Sequence, residues 1–139
     1  LQAMADGLLD AALLARYEGA LRPEEKRWPE WSQGQIKKMN GVLAQLEAET
    51  KSLKGKLTIG TLSVACALGY LDLRFADMGW RDKYPKLGKW FAQVSKLPSI
   101  SAFVDAPEAL DSFAPAYRDF ILAGDLNPRH GQQEARLTP

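Results

Sequence analysis

The chain has 139 residues, of which 46% are hydrophobic and 25% charged, with a formal net charge of +1. That balance suits a globular protein with a real core and leaves out the strongly basic face on which nucleic-acid binding depends, so no nucleic-acid partner is expected. A single cysteine, Cys66, excludes an internal disulfide and argues against a metal cluster. No metal and no resident cofactor are therefore expected. A reducing, cytoplasmic setting fits one thiol, and the start shows no basic region or cleavage site of a leader. Nowhere does the chain approach the roughly 20 uninterrupted apolar residues of a membrane span.

The first predicted helix runs from about Leu1 to Leu21 and is rich in alanine and leucine. It carries two apolar stripes. One contains Leu1, Met4 or Ala5, Leu8 and Ala12; the other contains Leu9, Leu13 and Tyr17. It begins in helical rhythm with no capping residue and no initiator Met, which predicts that sequence is missing upstream. Gly7 weakens it slightly and offers a close helix contact. Arg22-Pro23 ends it, because the residue before a proline avoids helical backbone.

The second helix ends near Ser52 and has two candidate starts. Pro23 followed by Glu24 and Glu25 reads as a first turn; Pro29 reads as either a first helical position or a kink. Its inner stripe is Ile36, Met39, Leu43 and Leu46, and Lys37, Lys38, Gln45 and Glu49 lie opposite. The third helix, about Thr58 to Arg74, is apolar or small on every side and therefore belongs at the centre of a bundle. Gly60, Ala65, Ala67 and Gly69 would let neighbours approach closely. Thr58 is a good N-cap, with Leu57 placed to staple onto Leu62.

A loop from Asp77 to Lys83 precedes an amphipathic helix from about Pro85 to Ser95, whose inner face is Leu87, Trp90, Phe91 and Val94. Leu97-Pro98-Ser99 opens a further short helical segment through about Val104. Residues 107–122 could form helical turns around Pro115, and Leu110, Phe113, Tyr117, Phe120 and Ile121 there need burial. From Gly124 onward the residues are mostly polar.

The third helix carries a family resemblance. LTIGTLSVACALGYLDLRF, residues 57–75, resembles the buried central helix of the glutathione transferase C-terminal domain. That family has an apolar residue, then Ser or Thr, then an Asp three positions on. Leu57 and Thr58 match; Thr61 stands at the Asp position, which predicts a weaker capping box. ADGLLDAA at 5–12, RPEEKRW at 22–28 and RDKYPKLGKWF at 81–91, followed by Leu97-Pro98-Ser99, are similar to the family in the same order. The resemblance covers about residues 1–106.

It implies an all-α fold: a helical bundle of about five to six helices around a central buried helix. Residues 1–106 would be that domain, and 107–139 a C-terminal extension, partly helical and then loose. Family members are generally dimers of two-domain subunits. A thioredoxin-like half binds glutathione and supplies the Ser, Tyr or Cys that activates its thiol, a poor nucleophile until deprotonated. The helical half gives an apolar wall for the electrophilic co-substrate and part of the dimer contact. This chain would supply the wall, depend on the missing thioredoxin-like domain as its partner, and be inactive alone. The whole protein would act in detoxification, with glutathione as co-substrate rather than cofactor. A non-catalytic interaction module of the same fold is the alternative.

No catalytic residue is expected within the chain. Cys66 sits in the most apolar helix, where a thiol is raised in pKa and structural. His130, the only histidine, lies in the polar tail, so a Cys–His pair has no support. Leu9, Leu13, Arg16 and Tyr17 are the substrate-pocket candidates, with Arg16 placed to meet a carboxylate. Asp6 and Asp10, four apart, are weaker candidates for facing glutathione. Trp28, Trp31, Trp80 and Trp90 read as core or interface aromatics.

Overall fold

The computed structural model describes residues 1–98 together with Ile100 and Ser101. Among them the fold is all helical: α1 (Gln2–Ala20), α2 (Pro29–Ala48), α3 (Ile59–Arg74), α4 (Trp80–Lys83) and α5 (Pro85–Val94), with short 3-10 turns at Glu24–Lys26, Thr50–Leu53 and Ala76–Met78. Helical backbone resumes at Pro98, Ile100 and Ser101. The expectations for residues 102–139, His130 included, lie outside the described residues. None of the described helices alone is long and apolar enough to cross a membrane.

The core gathers the stripes read from the sequence. Ala5, Leu8 and Ala12 of α1, Met39, Leu43 and Leu46 of α2, and Leu87, Trp90 and Phe91 of α5 are buried with Val64, Ala65, Ala67, Leu68 and Leu71 of α3. Helix α1 packs against both α2 and α3. The close approach expected at Gly7 is absent, since nothing lies within 4 Å of where its Cβ would stand. The close approach expected at Gly60 is present: an added Cβ there would stand 3.0 Å from the Leu1 Cβ.

Of the two candidate starts for α2, the fold uses Pro29. Trp28 before it is extended, at φ −114° and ψ 91°, as a residue preceding proline prefers. Its backbone N–H donates to the Glu18 carboxylate at 2.6 Å. Glu18 is only 5% exposed and also pairs with Arg22 at 3.1 Å. The segment after Pro23 is a separate 3-10 turn, and α2 ends at Ala48, short of the expected Ser52, which lies instead in a second 3-10 turn, Thr50–Leu53.

The loop expected over Asp77 to Lys83 is more ordered than its sequence suggested. Gly79, in left-handed backbone at φ 59°, separates a 3-10 turn from the single-turn helix α4. Asp72 holds this corner. It accepts from the Trp80 indole at 2.9 Å and from Arg81 at 3.1 and 2.6 Å. The Arg81 guanidinium lies over the Trp80 and Phe91 rings, 5.2 and 4.9 Å from their centroids.

The capping box of α3 is closed despite the threonine. The Thr58 N–H donates to the Thr61 hydroxyl at 2.8 Å, and the Thr61 N–H donates to the Thr58 hydroxyl at 3.2 Å. A hydroxyl therefore does here what a carboxylate does elsewhere. Leu57, expected to staple onto Leu62, remains 44% exposed. Thr61→Val, which keeps the shape and removes the hydroxyl, is expected to lower unfolding stability by about 1 kcal/mol, while Thr61→Asp preserves it. Urea titration of the two variants measures this, and equal midpoints would contradict it.

Candidate functional site

The two stripes of α1 have different fates. The first goes into the core. The second emerges from it: Leu9 and Leu13 are half-buried and Tyr17 is 40% exposed. Asp6, Asp10, Leu13 and Tyr17 follow one another at spacings of four, three and four, so they share one side of the helix. Both aspartates and Arg16 are exposed. The α1 candidates thus form one surface, apolar along its inner edge and charged along its outer edge.

Helix α3 is not enclosed on every side. Gly60, Thr61, Val64, Ala65, Ala67, Leu68 and Leu71 are buried. Ile59, Ser63, Cys66, Tyr70 and Arg74 run along the opposite side at spacings of four, three, four and four, and none is fully buried. Ile59 is 66% exposed. The Ser63 hydroxyl donates to the Ile59 carbonyl at 2.9 Å, so its polarity is largely absorbed by its own helix. The reading of Cys66 as an enclosed residue is corrected here: it lies on this more open side and is partly exposed.

Tyr70 joins the two helices. It packs against the core from outside and lies 6.5 Å, ring to ring, from Phe75. Burial pushes its phenol above the ordinary tyrosine value; Arg74 opposes this, Tyr17 adds to it, and Arg16 opposes it. Arg16 and Tyr17 of α1 are thus within electrostatic reach of Tyr70 on α3, against which α1 packs. Burial also pushes the Cys66 thiol up, which keeps it protonated and weakly nucleophilic near neutral pH.

The surface therefore combines aliphatic and phenolic walls with guanidinium groups. Such a lining suits an apolar or aromatic molecule with an anionic end. Among the described residues no group of three His, Cys, Asp or Glu could hold a metal. Reading the sequence singled out Leu9, Leu13, Arg16 and Tyr17 but missed Tyr70 and Arg74. Their signal was the repeat Cys66–Tyr70–Arg74, the polar-bearing stripe of an otherwise apolar helix.

The remaining candidates lie elsewhere. Thr58 and Thr61 are the capping box. Trp80 and Trp90 are core residues whose indole N–H groups reach Asp72 and, at 3.0 Å, the Leu53 carbonyl. Trp31 is half-buried, and Trp28 is 59% exposed at the start of α2.

Residues 29–93 match the family described as glutathione S-transferase, C-terminal domain. This stretch belongs to the glutathione S-transferase C-terminal domain family. A glutathione transferase family member from Pseudomonas fluorescens Pf-5, solved with bound S-(propanoic acid)-glutathione, is 48% identical, with a TM-score of 0.70 over 73% of this chain and 52% of that one. A glutathione S-transferase from Methylobacillus flagellatus KT with glutathione bound is 30% identical, with a TM-score of 0.68 over the same shares. The uncharacterized GST-like protein YibF of Escherichia coli (strain K12) is 35% identical over 92 residues, 64% of this chain and 45% of its own length. The chain thus spans about half the length of the glutathione transferase relatives it matches.

The place of Cys66 on the more open side of α3 has a measurable consequence. Alkylation of Cys66 by iodoacetamide should proceed, because the thiol is accessible. Its rate should rise with pH to a midpoint above that of a free cysteine peptide measured alongside. A midpoint below the peptide's would mean that the surface stabilises a thiolate.

Proposed function

We propose that this chain is the co-substrate half of a glutathione S-transferase, whose whole protein conjugates glutathione to an apolar electrophile as a detoxifying, cytoplasmic dimer. The observation that carries the reading is the incompletely buried side of the packed α1–α3 pair, with Leu9, Leu13 and Tyr17 on α1, Cys66 and Tyr70 on α3, and Tyr17 within electrostatic reach of Tyr70. Glutathione itself would be a co-substrate held mainly by a thioredoxin-like domain, which would also activate the thiol. The helical surface then contributes desolvation and orientation of the second substrate. Arg16 would face the charged end of an electrophile that has one. The glutathione and S-(propanoic acid)-glutathione bound in the relatives support this division.

The test compares the 139-residue chain with a two-domain protein that includes a thioredoxin-like half. The chain alone should give no calorimetric heat with millimolar glutathione and no conjugation of 1-chloro-2,4-dinitrobenzene. In the two-domain protein, Leu13→Ala and Tyr17→Ala should each weaken the half-buried apolar contact by about 1 kcal/mol, or roughly five-fold in KM for the electrophile. KM for glutathione should stay unchanged. Conjugation by the isolated chain would overturn the proposal. A two-domain protein that is inactive toward a panel of electrophiles would favour the interaction-module alternative.

A further inference from the structure

A second concave surface lies away from the α1 stripe. The end of α2, the 3-10 turn after it and one side of α5 enclose a groove of about 630 Å³, on the scale of small-molecule sites. Lys51 and Lys54 enter it from the turn, Lys86 and Lys89 from α5, and Trp90 lies among them. Lys54 and Trp90 also line an adjoining hollow of about 200 Å³, where Lys56 brings a further ammonium group.

The charge here is segregated. Residues 50–57 contain Lys51, Lys54 and Lys56, and residues 83–97 contain Lys83, Lys86, Lys89 and Lys96; neither segment has an Asp or Glu. The chain as a whole is nearly neutral, at +1. The single carboxylate in the groove is Glu47, and both its oxygens are engaged. They accept from the backbone N–H groups of Lys86 at 3.2 Å and Leu87 at 2.8 Å, where α5 begins. Glu47 therefore answers the positive end of α5, and its one negative charge stands against four ammonium groups in the groove. Among the described residues, none of Lys51, Lys54, Lys86 and Lys89 has a side-chain hydrogen bond or ion pair.

Gathering like charges from segments more than thirty residues apart raises the free energy of the fold unless an anion is present. Lysines act as point charges that cradle phosphate without the planar fork that reads carboxylates. We propose that this groove binds a compact polyphosphate group, of two or three phosphates, either free or as the phosphate chain of a nucleotide. The site is independent of the conjugation surface, since it shares no residue with it.

Titration calorimetry of the 139-residue chain with sodium tripolyphosphate, and separately with ATP, tests the proposal. Saturable one-to-one binding of tripolyphosphate is expected, weakening as salt rises. Lys51→Gln/Lys89→Gln should weaken it at least ten-fold, while Lys37→Gln/Lys38→Gln on the outer side of α2 should leave it unchanged. Equal affinities for the two probes would show that the phosphates alone are read, and tighter ATP binding that the base is also held; both support the site. No saturable binding, or equal losses in both double variants, would overturn it. Stronger, length-dependent binding of a poly-glutamate peptide or single-stranded DNA would also overturn it, since a macromolecule would then be the occupant. Circular dichroism of each variant separates loss of the site from loss of the fold.

Discussion

The close packing of α1 beside α3 is the constraint on which the rest of this domain depends. The buried side of α1 is largely alanine, with Ala5, Ala11, Ala12 and Ala15 around Leu8, and that of α3 includes Gly60, Ala65 and Ala67. Small side chains let helix axes come close, and at Gly60 a methyl group would already crowd Leu1. The same approach brings the two outer stripes side by side, so that Tyr17 and Arg16 come within electrostatic reach of Tyr70. Core packing and the candidate pocket are thus two sides of one helix pair.

Around that pair, a few carboxylates and indoles fix the remaining elements across long stretches of sequence. Glu18 holds the entry to α2, Glu47 caps α5 from the end of α2, and Asp72 gathers Trp80 and Arg81 at the corner after α3. Tyr84 adds a bond from its hydroxyl to the Asn40 carbonyl at 3.2 Å. Each removes polar groups from water only where a partner waits, and no buried side-chain nitrogen or oxygen among the described residues is left without one. One side of each of α1 and α3 stays incompletely buried while the rest of the core is closed.

Much of this was legible in the sequence because it is periodic or locally punctuated. The stripes of α2 and α5, the Thr58 cap and the breaks before Pro23 and Pro29 follow from spacing and backbone chemistry alone. The family resemblance of residues 57–75 gave the fold. What could not be read depends on pairs distant in sequence. Nothing local marks Glu18 and Glu47 as backbone acceptors rather than solvated acids. The uniform apolarity of α3 concealed which side would be left open, so Cys66 was assigned to the interior and Tyr70 was passed over. Nothing local marks Lys51 and Lys54 as part of a site either, since Lys86 and Lys89 of α5 reach the same groove from more than thirty residues away.

The proposal that stands or falls first is that the α1–α3 surface, rather than another part of the described residues, would receive an apolar co-substrate. The most direct measurement is a backbone amide chemical-shift titration of the chain with a neutral aromatic such as nitrobenzene. The account predicts that the perturbed amides cluster at Leu9, Leu13, Tyr17, Cys66 and Tyr70. Perturbations centred on Trp28 or on the hollow beside Leu57 and Trp90, with those five unmoved, would contradict it.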